Sequence, residues 1–407
     1  MVAPNHPTAV YVHVPFCRAR CAYCDFATTA GLEHLIPAYV AAVCREIEAA
    51  GARWGRLRVP TLYIGGGTPS LVPPADLEQL LDALRAAFRL ADDAEVTLEA
   101  NPGTLAPPYL AHLRDLGVNR LSLGVQSAHA GELQMLGRIH TWAQAVEAVS
   151  AACAAGFDNL SLDLIYGLPR QALQRWEETL RAALALAPQH LSLYALTVET
   201  GTPLAGRIAR GTLPPPDDDL AADMVELAEA LLAEAGYFHY EISNWARSDQ
   251  RLADRGWQIP PDILSETVSP FVCRHNLVYW RNAPYLGFGA GAASWFGGER
   301  WVNVDHPQTY IDRIATGASP VAETEHIPRP LEMGETMMMG LRLAEGVSDA
   351  RFRARFGASL EAVCAKALGQ LSRRGLLSWD GRAARLTAQG RLLGNQVFAH
   401  FLPPLDR

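Results

Sequence analysis

Tyr11-Val-His-Val-Pro-Phe-Cys17-Arg-Ala-Arg-Cys21-Ala-Tyr-Cys24-Asp-Phe26 is the most informative stretch of this chain. Three cysteines stand within eight residues, in the spacing C-x3-C-x2-C, and they follow the apolar, strand-like run 9–14. A loop at the end of a strand is able to wrap three thiolates around one metal centre, whereas a strand or helix cannot converge them so tightly. The stretch therefore predicts a metal-binding loop.

Two kinds of metal centre fit three clustered thiolates. A structural zinc ion would need a fourth protein ligand, for which His13 and Asp25 are the nearest candidates. An iron–sulfur cluster prefers thiolates, and with three cysteines it keeps one iron open for another ligand. We therefore interpret Cys17, Cys21 and Cys24 as ligands of a [4Fe–4S] cluster, with a zinc site or three buried cysteines as the alternative.

Composition and net charge are those expected of a soluble protein with no obvious affinity for nucleic acid. The 407 residues are enough for two or three domains, and 49% of them are hydrophobic. The net charge of −8 argues against nucleic acid as a partner. The seven cysteines form no disulfide framework, and neither a secretory signal nor a membrane-spanning run is recognised, so we expect a cytoplasmic protein.

Strand-like and helical stretches alternate along the first half of the chain. Apolar runs predict strands at 9–14, 61–64, 95–99, 120–125, 159–165 and 190–195. Leucines and alanines at three- and four-residue steps predict helices at 35–49, 74–88, 109–116, 141–155 and 173–186. This alternation predicts an α/β fold with a parallel sheet and outer helices, either as a barrel or as an open sheet.

Function in such folds gathers where the parallel strands end, and polar residues follow several of the predicted strands. The second strand leads into Gly65-Gly66-Gly67-Thr68-Pro69, where the glycines let a ligand approach and are expected to leave amide groups free to bind it. Glu99, after the third strand, offers a carboxylate to a ribose or an ammonium group. Gln126 ends the fourth strand with a donor and an acceptor, and Asp163, inside the apolar fifth strand, needs a partner or a ligand.

These motifs carry a resemblance to a known superfamily. The cysteine spacing, with Tyr23 before the last cysteine, and the G-G-G-T-P sequence are similar to those of the radical S-adenosylmethionine (SAM) superfamily. His275-Asn276-Leu-Val-Tyr279-Trp280 resembles the H-N-x-x-Y-W signature of the HemW group of heme chaperones, in the branch related to the coproporphyrinogen III oxidase HemN. The resemblance implies a partial (βα)6 barrel, an α+β extension and a C-terminal winged-helix-like domain.

The same resemblance assigns the strand-end residues to SAM. The G-G-G-T-P sequence would hold the amino group and the methionine part, Arg138 the carboxylate, and Asp163 the ribose. For Tyr11 and Tyr23, packing against the barrel mouth is the alternative. No catalytic side chain is assigned. The residues expected at SAM are Tyr11, Tyr23, Gly66, Gly67, Thr68, Glu99, Gln126, Arg138, Asp163 and Ala195.

Three domains are predicted. They are the barrel with its cysteine loop at 1–215, an extension with the H-N-x-x-Y-W motif at 216–327, and a C-terminal domain at 328–407. Within the extension, residues 247–271 are interpreted as an insertion, and the glycine-rich segment 287–294 as a turn that closes over the SAM pocket.

The C-terminal domain is predicted to contain helices at 331–343 and 360–374, a hairpin about Asp380-Gly381, and a last helix at 388–398. From residue 329 onward the chain contains twelve Arg and Lys residues but only seven Asp and Glu residues. This positive balance leaves a DNA-binding wing as an alternative. The resemblance instead implies a cap or a surface for partner contacts.

The resemblance implies a heme chaperone on a radical SAM scaffold, with a [4Fe–4S] cluster, SAM and heme as cofactors. His275, Tyr279 and Trp280 are the residues expected at heme, because an imidazole ligates iron and aromatic rings stack on a porphyrin. Cys273 is an alternative axial ligand. The implied partners are heme, heme-accepting respiratory proteins, which would place the protein at the membrane surface, and an electron donor for the cluster.

Two enzymatic alternatives share this scaffold. One is an oxygen-independent coproporphyrinogen III oxidase, and the other is a radical SAM methyltransferase acting on a porphyrin or another substrate. The oxidase branch carries a fourth cysteine two residues after the third, a position that Phe26 occupies here. Oxidase activity is therefore not expected, whereas the methyltransferase stays open.

Overall fold

The computed structural model describes residues 7–248 and 265–402. Its strands are, in chain order, β1 (Ala9–Val14), β2 (Phe16–Cys17), β3 (Thr29–Ala30), β4 (Arg58–Gly66), β5 (Arg89–Ala100), β6 (Arg120–Gln126), β7 (Leu160–Tyr166), β8 (His190–Ala195), β9 (Tyr237–Glu241), β10 (Asn244–Arg247), β11 (Tyr285–Phe288), β12 (Ala293–Phe296), β13 (Glu299–Asn303), β14 (Val321–His326), β15 (Val347–Ser348), β16 (Leu377–Trp379) and β17 (Ala383–Leu386).

The helices between the strands confirm the predicted alternation. They are α1 (Ile36–Trp54), α2 (Pro74–Ala87), α3 (Pro107–Asp115), α4 (Ala130–Met135), α5 (Trp142–Ala154), α6 (Leu173–Ala185), α7 (Pro203–Ala209), α8 (Asp218–Glu234), α9 (Ser265–Val268), α10 (Arg274–Trp280), α11 (Pro307–Ala315), α12 (Arg329–Gly340), α13 (Asp349–Phe356), α14 (Leu360–Arg373), α15 (Ala388–Leu392) and α16 (Gly394–Phe398). No helix within the described ranges has both the length and the apolar content that a membrane span requires.

Contacts divide the chain into two compact units. Unit 1 contains residues 1–228 and 284–325, and unit 2 contains residues 229–283 and 326–407. The predicted domain boundaries after 215 and 327 stay predictions. Of the predicted insertion at 247–271, residues 249–264 lie outside the described part of the chain.

The sheet of unit 1 contains the six predicted strands, which pair in parallel in the order β1-β4-β5-β6-β7-β8. An unexpected strand, β11, lies parallel to β1 on its other side, and β12 and β13 continue from it in antiparallel pairs. The prediction of a turn throughout 287–294 is therefore wrong at both ends, which belong to β11 and β12. A turn does separate these two strands, with Gly289 at φ +99° and Gly291 at φ +71°.

Burial explains why the predicted elements form. Every residue of β6 is buried, as expected for a parallel strand that is covered on both faces. Helix α1 buries Tyr39, Val43 and Ile47, which recur at four-residue steps on one face. The parallel strands therefore end at one edge of a covered sheet, and this edge carries the predicted site residues.

The C-terminal part of unit 2 contains the predicted helix and hairpin elements. At the hairpin turn, Asp380 Oδ1 accepts hydrogen bonds from the amides of Arg382 and Ala383, each at 2.8 Å. Strand β15 adds an unpredicted third strand beside β17. The prediction of one continuous helix at 388–398 is wrong, because the chain leaves helical geometry at Leu393, between α15 and α16.

Candidate cluster and SAM site

The three-cysteine loop, residues 17–24, follows β1 and lies against the segment after β4. The hydroxyl of Thr68 donates to Cys17 Sγ at 3.6 Å, and Arg138 Nη1 donates to Cys21 Sγ at 3.3 Å. Cys17, Cys21 and Cys24 are free thiols that are partly exposed. The loop thus presents three accessible sulfurs, two of which already accept hydrogen bonds from the barrel residues predicted to bind SAM.

The protein surroundings of Cys17 disfavour its thiolate. Burial raises the pKa of this thiol most, and the neighbouring sulfurs of Cys24 and Cys21 raise it further. The hydrogen bond from Thr68 and the charge of Arg138 act in the opposite direction. Because metals bind the thiolate form, an iron centre would stabilise the Cys17 thiolate against the effect of burial.

The residues present fit a cluster better than a single ion. Within residues 7–248 and 265–402, no group of three or more His, Cys, Asp or Glu side chains is arranged to hold one metal ion. His13, the candidate fourth zinc ligand, is buried, with Nδ1 2.8 Å from the Tyr11 hydroxyl and Nε2 2.9 Å from the Ala27 carbonyl. In a cubane cluster each cysteine binds a different iron, so the thiolates need not meet at one point.

Gly67 lets the segment after β4 pack directly on the cysteine loop. A Cβ atom at this position would lie 2.7 Å from the Phe16 carbonyl oxygen and 2.9 Å from Cys17 Sγ, closer than real Cβ contacts. Any side chain at residue 67 would therefore displace the backbone that carries the first cysteine.

The expectation of free amide groups in the glycine segment is wrong for two of its residues. The amide of Gly66 donates to Glu99 Oε2 at 2.9 Å, and the amide of Gly67 donates to the Val14 carbonyl at 2.8 Å. The glycines are needed here for close backbone approach and, at Gly66, for a φ of +119°.

Asn101 joins the two sides of the site, and the sequence analysis did not assign it. Its Nδ2 donates to Thr68 Oγ1 at 2.9 Å, and its Oδ1 accepts from Arg138 Nη2, which also donates to the Gly124 carbonyl at 2.6 Å. Thr68, Asn101 and Arg138 line a cavity of about 130 Å³ together with Cys21. The sequence feature that could have indicated this role is the position of Asn101, directly after β5 and before a proline.

Two half-buried carboxylates lie on β5 and β7, the strands on either side of β6. Glu99 Oε1 accepts from the Tyr63 hydroxyl at 2.7 Å, and burial raises the pKa of Glu99 to about 7. Asp163 accepts from Ser122 at 3.1 Å and from Ser161 at 3.3 Å, and burial raises its pKa as well. The prediction that Asp163 needs a partner is confirmed, whereas its role at the SAM ribose stays a prediction.

The other predicted SAM residues do not line the 130 Å³ cavity. Gln126 is buried and holds a φ of +68°, a left-handed conformation that is rare for a residue with a side chain. Tyr11 stacks on Tyr63 with ring centroids 6.2 Å apart. Tyr23 packs against an apolar cluster of unit 1, and Ala195 is exposed at the end of β8.

In unit 2, the H-N-x-x-Y-W motif forms α10. His275 is 2% exposed, and its Nε2 lies 3.0 Å from the Tyr279 hydroxyl. Asn276 Nδ2 donates to Glu241 Oε1 at 3.2 Å, and burial raises the pKa of Glu241 to about 7. The guanidinium of Arg342 lies 5.1 Å from the Trp280 ring centroid. The motif is thus a packed helix whose polar residues are held by unit 2 itself.

Comparison with known proteins places the chain in a family. The sequence model of the radical SAM superfamily matches residues 11–183, and that of the HemN C-terminal domain matches residues 327–393. Heme chaperone HemW of Mycobacterium tuberculosis is 40% identical, over 97% of this chain and 94% of that protein. The chain belongs to the HemW family. Heme chaperone HemW of Bacillus subtilis, another member, is 35% identical over 98% of this chain and 100% of its own length.

A solved structure confirms the fold of this HemW-family protein. Coproporphyrinogen III oxidase (HemN) from Escherichia coli matches with a TM-score of 0.83 and 24% identity, over 99% of this chain and 92% of that one. The α/β radical SAM fold and the HemN-type C-terminal domain are thereby confirmed. Radical SAM membership implies a [4Fe–4S] cluster and SAM as cofactors.

Proposed function

We propose that this HemW-family protein is a heme chaperone, which binds a [4Fe–4S] cluster, SAM and heme and passes the heme to respiratory proteins. The observation that carries the proposal is the 40% identity, over 97% of the chain, to a protein named heme chaperone. An electron donor for the cluster and heme acceptors at the membrane surface are the partners that this function requires.

Cys17, Cys21 and Cys24 would hold the cluster, and the 130 Å³ cavity beside Cys21 would receive the amino-acid part of SAM. A cluster and SAM, when bound, supply one-electron cleavage of the SAM sulfonium. Arg138 places a guanidinium at the wall of this cavity, where it is able to pair with a carboxylate. Thr68 fixes the position of Cys17 through its hydroxyl.

Phe26 supports the chaperone over an oxidase. It stands two residues after Cys24, where the oxidase branch has its fourth cysteine, and its side chain is 64% exposed. Phenylalanine offers neither a metal ligand nor a redox-active group at this position. The loop therefore retains three thiolates, as the proposed function requires.

The heme ligand in this proposal is His275. Its imidazole is buried beside the Tyr279 ring, at a centroid distance of 5.1 Å, and both residues belong to the same short helix. Imidazole is a common axial ligand of heme iron, and aromatic rings contribute dispersion contacts to a porphyrin. Heme would replace the contact of the imidazole with the Tyr279 hydroxyl.

Anaerobic heme titration of the cluster-loaded protein is expected to saturate near one heme per chain. His275→Ala should weaken binding about tenfold or more and shift the Soret band, because the iron loses its imidazole. The matched control is His400→Ala, which removes an exposed histidine of the same unit. Absence of saturable binding in the unaltered protein contradicts the chaperone, whereas unchanged affinity and spectrum in His275→Ala contradict only the ligand assignment.

A further inference from the structure

Unit 2 contains a cavity of about 640 Å³ that His275, Tyr279 and Trp280 do not line. Its walls come from α8, β9 and β10, from the segment after α12, and from β16, β17 and α15. Cavities between about 300 and 1,000 Å³ are typical of sites for cofactor-sized ligands. The size of this cavity therefore suits a ligand considerably larger than a metabolite of a few atoms.

Three arginines at the wall of this cavity have hydrogen-bonding capacity left over. Arg385 donates to Asp380 at 3.3 Å, but its Nε and Nη2 are buried and have no hydrogen-bond partner among the described residues. The Nε atoms of Arg342 and Arg391 are likewise buried and unpartnered within that part of the chain. These nitrogens are enclosed by protein, so it is the positive charge of the three guanidinium groups lining the cavity that favours an anionic ligand.

Of the three arginines, only Arg391 is hydrogen-bonded to an acidic residue of the cavity wall, and the charge of Glu241 acts on Arg342 without a hydrogen bond between them. Glu229 Oε1 accepts a hydrogen bond from Arg391 Nη2 at 3.0 Å and lies 3.3 Å from His239 Nδ1. Glu241 accepts hydrogen bonds from Asn244 and Asn276. Arg342 and Arg385 thus face the cavity without a carboxylate of the cavity wall bonded to either of them.

Aromatic side chains give the same cavity flat apolar surface. Tyr237, Phe238 and Trp245 line it, and the Trp245 ring stacks on His239 with centroids 3.9 Å apart and planes 7° from parallel. Flat aromatic walls beside guanidinium groups suit a planar aromatic molecule that carries carboxylates, because arginine pairs with carboxylates in a bidentate way. A tetrapyrrole with propionate groups has this chemistry.

The cavity also adjoins the H-N-x-x-Y-W helix. Leu277, on α10, packs in one apolar cluster with Phe238 and Leu343, and both of these residues line the cavity. A tetrapyrrole held here would therefore lie in the same part of unit 2 as the imidazole of His275.

We propose that this cavity binds the propionate side of the heme, with Arg385 and Arg342 pairing with its carboxylates and the aromatic wall contacting the ring. This inference rests on the proposed function, since it gives the location and the recognition chemistry of the bound heme. Arg391, already paired with Glu229, completes the positive edge of the cavity.

Heme and heme dimethyl ester, titrated anaerobically into the cluster-loaded protein, separate the carboxylate contacts from iron ligation. Both ligands carry the same iron and ring, so their affinities differ only through the carboxylates. We expect the ester to bind at least about tenfold more weakly, which corresponds to about 1.4 kcal/mol. Arg385→Met should lower the affinity for heme about tenfold and leave that for the ester unchanged.

Arg373→Met is the matched control, because it removes an exposed arginine of α14 in the same unit, and it should leave both affinities unchanged. Equal affinities of the unaltered protein for heme and ester overturn the inference while the chaperone function stands. Failure to bind either ligand overturns both. The comparison of acid and ester needs no variant, so it remains decisive if Arg385→Met does not fold, and Arg342→Met supplies a second variant.

Discussion

Each of the substitutions Cys17→Ser, Cys21→Ser and Cys24→Ser is expected to reduce the iron content of the anaerobically reconstituted protein from about four atoms per chain to nearly none. The loop offers three thiolates, so each variant leaves one further iron of a cubane without a protein ligand. A serine hydroxyl does not replace the thiolate, because it stays protonated at neutral pH. Iron analysis and the visible absorption of the cluster measure the effect.

Cys153→Ser is the control for these variants. Cys153 is an exposed free thiol near the end of α5, outside the three-cysteine loop, and its loss should leave iron and absorption unchanged. Retention of full iron by all three loop variants would contradict the cluster assignment. Stoichiometric zinc binding in place of iron would favour the zinc alternative. Zinc binding by His13 is not expected, because its ring nitrogens already contact the Tyr11 hydroxyl and the Ala27 carbonyl.

Arg138→Met is expected to weaken SAM binding by about 10- to 100-fold while the cluster stays in place. Arg138 lines the 130 Å³ cavity together with Arg18, and its guanidinium also contacts Cys21 of the cysteine loop. A hydrogen bond to a charged group contributes about 1.5–3 kcal/mol. The variant also leaves Asn101 Oδ1 without its donor, which loosens the link to Thr68. Calorimetry with SAM on the iron-loaded protein measures the loss.

Arg45→Met controls for the loss of a positive charge, because Arg45 is exposed on α1 of the same unit. It should retain both SAM affinity and iron. The SAM affinity of Arg138→Lys should lie between those of Arg138→Met and Arg45→Met, since an ammonium keeps the charge but loses the bidentate geometry. An Arg138→Met protein that binds SAM as tightly as the unaltered one would rule out a carboxylate-binding role for this residue.

Local sequence patterns were sufficient for the parallel strands. The apolar runs of β6 and β7 are the signature of strands covered on both faces, and α1 shows its buried face at four-residue steps. Strand β11 was not predicted because it has four residues, contains Gly287, and is defined by pairing with β1, 276 residues earlier in the chain. Pairing at such a distance leaves no local pattern.

Side-chain networks were harder to predict than the position of the cysteine loop. The cysteine spacing identified the loop directly, but the link from Thr68 through Asn101 to Arg138 joins three segments that meet only in the fold. The glycine segment was interpreted as a source of free amides, whereas Glu99 and the β1 backbone accept two of them. The paired partners of a backbone amide depend on tertiary packing, which a sequence motif does not contain.

Heme transfer from the loaded protein to a heme-free respiratory acceptor tests the proposed function most directly. The protein, carrying cluster and one heme, is mixed with an equimolar heme-free b-type cytochrome, and the acceptor spectrum is followed in time. The chaperone function predicts that the acceptor is loaded faster than from an equal amount of heme bound to serum albumin, and that the His275→Ala protein loses this advantage. Loading no faster than from albumin would contradict it.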